Sequence, residues 1–172
     1  LVDFSKYLHG SPAEKKEYVD TIMTGFTTSG FLYLTNSGIS IEDLESVLTQ
    51  SKAYFDLPLS EKSKAPNNNP GINRGYSRMG VEKAFNVLDS DGIAVLRTQQ
   101  PDVEECLEIG SELGDCPFKD DVNIWPDHPG GFKETMTTVY KRYDYLHHEV
   151  MSAIAEGLGI QKDFFRTIRN GD

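Results

Sequence analysis

Asp144, His147 and His148 are the residues of this chain whose types and spacing first suggest chemistry. They lie in one stretch of helical pattern, with an Asp-x-x-His pair one turn apart, a spacing that helical metal sites use. Adjacent histidines project about 100° apart on a helix, so both cannot easily meet the same ion. No second acidic or histidine-bearing helix supplies the missing ligands, and these side chains read as solvated or packing histidines. Asp127-His128-Pro129 pairs a carboxylate with an imidazole in a loop and reads as a loop histidine.

Arg74-Gly75-Tyr76 is a different kind of constellation. Arginine offers a fixed fork for a carboxylate or carbonyl, and tyrosine an aromatic body with a polar tip. Gly75 lets the backbone turn sharply or approach another segment closely. The structural alternative is an arginine paired with Glu82 and a tyrosine packed over a long helix. Trp125 in Asn123-Ile124-Trp125-Pro126 is expected to anchor its loop. Phosphate cradles of the GxGxxG or GxxxxGK[ST] type are missing, as is a GxSxG nucleophile elbow.

The elements that must position these groups are legible in outline. Leu1–Phe4 reads as a short strand. Ser11-Pro12-Ala13-Glu14 starts a helix, with Ser11 as cap, Pro12 at the first helical position and Glu14 closing a capping box. Val19, Ile22, Met23 and Phe26 give that helix one apolar face, and Gly30 stops it. Phe31–Thr35 is apolar on both faces, which predicts a strand covered on each side. Ser40 with Asp43 repeats the capping pattern for a second helix ending at Leu57-Pro58.

Further along, Pro66–Gly71 is a loop, Arg74–Glu82 extended, Asp89–Gly92 a turn and Val103–Ile109 a strand. Gly110–Gly131 is a long irregular stretch rich in Gly, Pro and Asp, of the kind that packs over something or serves function. From Phe132 a stripe of Met136, Val139, Tyr140, Tyr143, Leu146, Val150, Met151, Ile154 and Leu158 predicts a helix of roughly 39 Å. Lys162–Ile168 reads as a final helix with Phe164, Phe165 and Ile168 inward.

At 172 residues the chain is long enough for one domain with a real core. Its 38% hydrophobic and 26% charged residues suit a globular chain. The net charge of −10, from 27 acidic and 17 basic residues, argues against nucleic acid as a partner. No apolar run reaches the ~20 residues needed to span a bilayer, so a membrane is not expected either. Leu1-Val2-Asp3-Phe4 carries no signal-peptide pattern. Cys106 and Cys116 match no zinc spacing and fit a reducing compartment as small, buried or half-buried side chains; a cytoplasmic location is expected.

Taken in order, Gly30–Ile39, Tyr54–Lys62, Arg74–Glu82, Glu105–Gly110, Asn123–Pro126 and Gly131–Ile160 resemble the N-terminal region of the iron(II)- and 2-oxoglutarate-dependent dioxygenases of the isopenicillin N synthase-like family. Arg74–Ser77 with Glu82-Lys83, Leu107–Gly110, Gly131–Lys133 and His148–Ala155 are most similar to fungal members such as thymine dioxygenase. The resemblance implies an α/β (α+β) fold, in which a helical N-terminal part with a few strands flanks a double-stranded β-helix, or jelly roll. Residues 1–172 would form the N-terminal domain, with a bracing helix at about 132–157, and the catalytic core would lie beyond this chain.

It also implies Fe(II) and 2-oxoglutarate, both bound C-terminal to Asp172, through a His-x-Asp…His triad and an Arg-x-Ser motif. No His-x-Asp occurs in these residues, so this piece alone would be inactive. The parent would oxidise a small molecule with O2 by hydroxylation, demethylation, desaturation or ring closure, giving succinate and CO2. The C-terminal half of the same protein would be the partner of this chain, and the resemblance implies Arg74, Tyr76 and Met79 as one wall of the substrate pocket. Ser37 stands where many members have histidine, at a position that is not an iron ligand. The alternatives are a non-catalytic binding or regulatory relative that lost the iron site, and an unrelated α/β interaction module.

Overall fold

A computed structural model of the chain describes residues 1–67, 73–80, 103–112 and 122–169. The turn expected at Asp89–Gly92, Glu82 as an arginine partner, Cys116, and parts of the 66–71 and 110–131 loops lie outside the described residues. The chain divides into two compact units, Leu1–Thr49 with Glu134–Asp172, and Gln50–Lys133.

The first unit opens with strand β1 (Val2–Asp3), which pairs in parallel with β2 (Leu34–Thr35) in the register Val2↔Leu34 and Asp3↔Thr35. Between them come helices α1 (Ser5–His9) and α2 (Pro12–Thr28). The capping box that starts α2 is formed: the Glu14 amide donates to Ser11 Oγ, and the Ser11 amide donates to the Glu14 carboxylate at 2.8 Å. Gly30, at φ 80°, ends the helix by returning its N–H to the Gly25 carbonyl, a left-handed turn that costs glycine little.

Helix α3 (Ile41–Phe55) begins with the reciprocal Ser40–Asp43 bonds, at 3.0 and 3.1 Å, and stops ahead of Pro58. Helix α4 (Leu59–Lys62) belongs to the second unit. The long helix α5 (Phe132–Gly157) has the expected bounds. Helix α6 (Phe164–Arg169) closes the described chain.

Phe4, Tyr7, Tyr18, Val19, Ile22 and Ala153 are buried together with Val2 as the core of the first unit. Each large apolar side chain removed from water there contributes about 1.5–3 kcal/mol. Tyr7 and Tyr18 stack with ring centroids 5.3 Å apart, and the Tyr7 hydroxyl donates to Glu156 at 2.8 Å.

Two expectations need correction. The segment before β2 is not covered on both faces: Phe31 and Tyr33 are 64% and 69% exposed. Within this unit β2 gains one neighbour, β1, over two residues, too little to bury the alternating apolar side chains. In α6, Phe164 and Ile168 face outward rather than inward, because a helix of six residues has little surface to pack on.

The second unit holds α4 and an antiparallel pair, β3 (Gly75–Ser77) with β4 (Cys106–Glu108), in the register Gly75↔Glu108, Tyr76↔Leu107 and Ser77↔Cys106. Both strands are shorter than the sequence suggests, and Cys106 is half-buried. Tyr54 is fully buried in this unit, with Phe55, Tyr76 and Phe132 around its ring at 5.1–6.2 Å. No helix among the described residues is long and apolar enough to cross a membrane.

Candidate functional site

The second unit gathers the polar groups that sequence spacing leaves scattered. Strand β3 pairs with β4 and is also held by the 65–67 segment: Tyr76 N–H donates to the Ala65 carbonyl at 2.6 Å, and Asn67 N–H donates to the Tyr76 carbonyl at 3.1 Å. This close approach depends on Gly75. A Cβ there would stand 2.7 Å from the Pro66 carbonyl, and the backbone adopts φ 102°.

Tyr76 is 6% exposed. Its hydroxyl makes a short hydrogen bond to Glu105 Oε2. Lys62, on α4, reaches the same carboxylate with Nζ 2.8 and 2.7 Å from its two oxygens and donates to the Phe55 carbonyl at 3.0 Å. The Lys62 ammonium also stands 5.7 Å from the centre of the Tyr76 ring. Tyr54 closes the circle by donating to the Lys62 carbonyl at 3.3 Å.

This is an ion pair largely removed from water, with the lysine and glutamate side chains 9% and 18% exposed. Charges so placed need partners on every side, and here they have them. The Lys62 and Tyr76 hydrogen bonds hold the Glu105 carboxyl below its ordinary range. Burial, reinforced by the bond to Glu105, pushes the Tyr76 hydroxyl up to about 12. Tyr76 is therefore a hydrogen-bond donor throughout the physiological range, and Glu105 an acceptor.

Arg74 is half-buried and turned toward a different partner. Its Nη1 donates to the Asn73 carbonyl at 2.9 Å. Its guanidinium occupies the space that a side chain on Gly110 would fill. Gly110 in turn is held by Asn123, which accepts from its N–H at 2.7 Å and donates to its carbonyl at 2.8 Å. Met79 lies at the exposed turn after β3, 60% accessible.

Arg74 and Tyr76 thus flank Gly75, with their polar ends engaged by different residues. Trp125 anchors its loop as expected, donating to Glu112 at 2.7 Å and meeting Phe132 at 6.3 Å. That bond is the main cause holding the Glu112 carboxyl below its ordinary range.

Lys62, Glu105, Gly110 and Asn123 escape the sequence reading as members of a site. A Lys or Glu in a polar stretch looks like a solvated surface charge, and the only signal is that both fall in the ordered series of family-like segments.

On the long helix it is His148, not His147, that approaches Asp144, at 3.6 Å, because an i,i+4 pair stacks along one face. His147 is exposed. Among the described residues no three His, Cys, Asp or Glu side chains come together to hold a metal. The donor set of the described residues does not fit an iron site.

The model of the family described as "non-haem dioxygenase in morphine synthesis N-terminal" matches residues 1–128. A 2-oxoglutarate-dependent dioxygenase of Aspergillus rugulosus is 29% identical over 99% of this chain and 52% of its own length. A 2-oxoglutarate-Fe(II) type oxidoreductase of Metarhizium rileyi is 32% identical over 95% of this chain and 46% of its own. Among solved structures, the full-length thymine 7-hydroxylase of Neurospora crassa, in complex with alpha-KG and thymine, superposes with a TM-score of 0.78 at 37% identity. That match covers 96% of this chain and 50% of the hydroxylase. The chain spans about half the length of the relatives it matches.

Proposed function

Since the chain belongs to the family of non-haem dioxygenase N-terminal domains, we propose that it is the N-terminal part of an Fe(II)- and 2-oxoglutarate-dependent oxygenase acting on a small molecule. The observation that carries this reading is coverage. Nearly all of the chain aligns with about half of relatives named as 2-oxoglutarate-dependent enzymes. In the complete protein, iron and 2-oxoglutarate supply oxidation of the substrate by O2, with succinate and CO2 as co-products. On this reading both groups would be held by polypeptide C-terminal to this chain, in keeping with its alignment to about half of each relative.

On this reading the present residues have two tasks. The helices, above all Phe132–Gly157, brace a jelly-roll core contributed by the C-terminal half. The exposed Phe31 and Tyr33 support that reading, as apolar side chains the described residues leave uncovered. The second unit offers Arg74, Tyr76 and Met79 as one wall of the substrate pocket. Of these, Tyr76 acts through its ring and its fixed hydroxyl, since the hydroxyl proton is committed to Glu105. A cytoplasmic location belongs to the same proposal. It rests on Cys106 and Cys116, whose spacing matches no zinc site and suits a reducing compartment.

The coding sequence after Asp172 tests the proposal. A continuation carrying His-x-Asp, a later histidine and Arg-x-Ser is expected. A continuation without them would leave a binding or regulatory relative and overturn the enzyme reading.

A further inference from the structure

We propose that Gly110, locked by Asn123, is a seat that positions the Arg74 guanidinium for a carboxylate or carbonyl on the substrate. The proposal rests on the reading of Arg74 as part of the substrate wall.

Three features of the geometry carry it. First, a Cβ on Gly110 would collide with Nη2, Cζ and Nε of Arg74, so the head group lies directly against the glycine. Second, Gly110 is not among the glycines with positive φ. Alanine could therefore adopt its backbone, and what glycine provides at this position is room rather than conformational freedom. Third, the platform is fixed. Asn123 is 6% exposed and meets both backbone polar groups of Gly110, as a neighbouring strand would.

The Arg74 head group is also tied to the carbonyl of Asn73, a residue at φ 54°. An arginine free in solution loses considerable rotamer entropy when it grips a ligand. One already confined by a carbonyl and by the close approach of a glycine has lost much of it beforehand. Asn123 and Gly110 are then positioning residues, acting on the ligand only through Arg74.

The test uses the complete protein with its arginines labelled by 15N, and benzoate as a carboxylate probe. The Arg74 Nε–Hε resonance is identified by its loss in Arg74→Ala. In the native protein this resonance should shift on titration with benzoate. Gly110→Ala should move the resonance before any probe is added and weaken benzoate binding about tenfold, as lost preorganisation does. The double variant Gly110→Ala/Arg74→Ala should bind no worse than Arg74→Ala alone. If Gly110→Ala does not fold, Asn123→Ala frees the platform without adding atoms and carries the same two readouts.

An unmoved resonance with native affinity in these variants would overturn the seat, while weakened binding in Arg74→Ala would leave the wall reading intact. If Arg74→Ala binds benzoate as the native protein does, the wall reading fails. The resting position of the resonance in Gly110→Ala then decides the seat alone.

Discussion

Lys62 and Glu105 form an ion pair inside the second unit, two hydrogen bonds of 2.8 and 2.7 Å joining residues 43 positions apart in the chain. The pair ties α4 to the residue that leads into β4, and through Glu105 it also fixes the hydroxyl of Tyr76 on β3. One carboxylate thus holds three elements in register, next to the residues proposed to face substrate.

Replacing Lys62 by Ala should cost the complete protein about 2–3 kcal/mol. That is below the cost of breaking a fully buried pair, because Glu105 keeps some contact with solvent. The double variant Lys62→Met/Glu105→Leu should cost less than the sum of the two single changes. Denaturant midpoints of the four proteins check this, and strictly additive losses would contradict a coupled pair.

Acid should weaken the same cluster. The carboxyl of Glu105 titrates lower in the folded protein than in the unfolded chain, chiefly because Lys62 and then Tyr76 donate to its charged form. A depressed folded value means that the stabilisation is present above the unfolded value, about 4.3 for glutamate, and is lost as pH falls through the folded value. Glu105→Gln should therefore flatten the pH dependence of stability below about pH 4.5. A variant as acid-sensitive as the native protein would place the effect elsewhere.

Gly75 and Gly130 should respond oppositely to alanine. At Gly75 the new Cβ would meet the Pro66 carbonyl at 2.7 Å and the backbone sits at φ 102°, so a loss of at least about 1–3 kcal/mol is expected. At Gly130 nothing lies within 4 Å and φ is not positive, so alanine should be neutral or raise stability by about 0.4–1 kcal/mol. Thermal unfolding of both variants gives the comparison.

Tyr18 is 1% exposed, yet its hydroxyl has no hydrogen-bond partner among the described residues, and burial pushes its ionisation up to about 12. Tyr18→Phe removes an unsatisfied polar atom and should stabilise the protein by about 1 kcal/mol. Tyr7→Phe, which gives up the 2.8 Å bond to Glu156, should destabilise it. The order of the two midpoints is the check; Tyr18→Phe falling below the native protein would point to a partner for that hydroxyl.

What could be read from the residues alone follows the range of the interactions. The boxes at Ser11–Glu14 and Ser40–Asp43 are complete within four residues, so the sequence displays both partners together. The stop at Gly30 and the bounds of Phe132–Gly157 are equally local. The Lys62–Glu105–Tyr76 cluster joins residues 43 and 29 positions apart, and no periodicity connects its members. The outward Phe31, Tyr33, Phe164 and Ile168 mislead for a related reason: apolar pattern shows that a face is built for cover, without saying which chain provides it. Asp144 illustrates the converse, since i+3 and i+4 histidines are both present and only the packed helix shows His148 to be its neighbour.

Succinate release tests most directly whether these residues brace the core of a 2-oxoglutarate-dependent oxygenase. The complete protein is incubated with Fe(II), O2 and 2-oxoglutarate, beside residues 1–172 alone under the same conditions. The complete protein should convert 2-oxoglutarate to succinate and CO2, even slowly without substrate, and residues 1–172 should not. No succinate from a folded complete protein supplied with iron would contradict the proposed function.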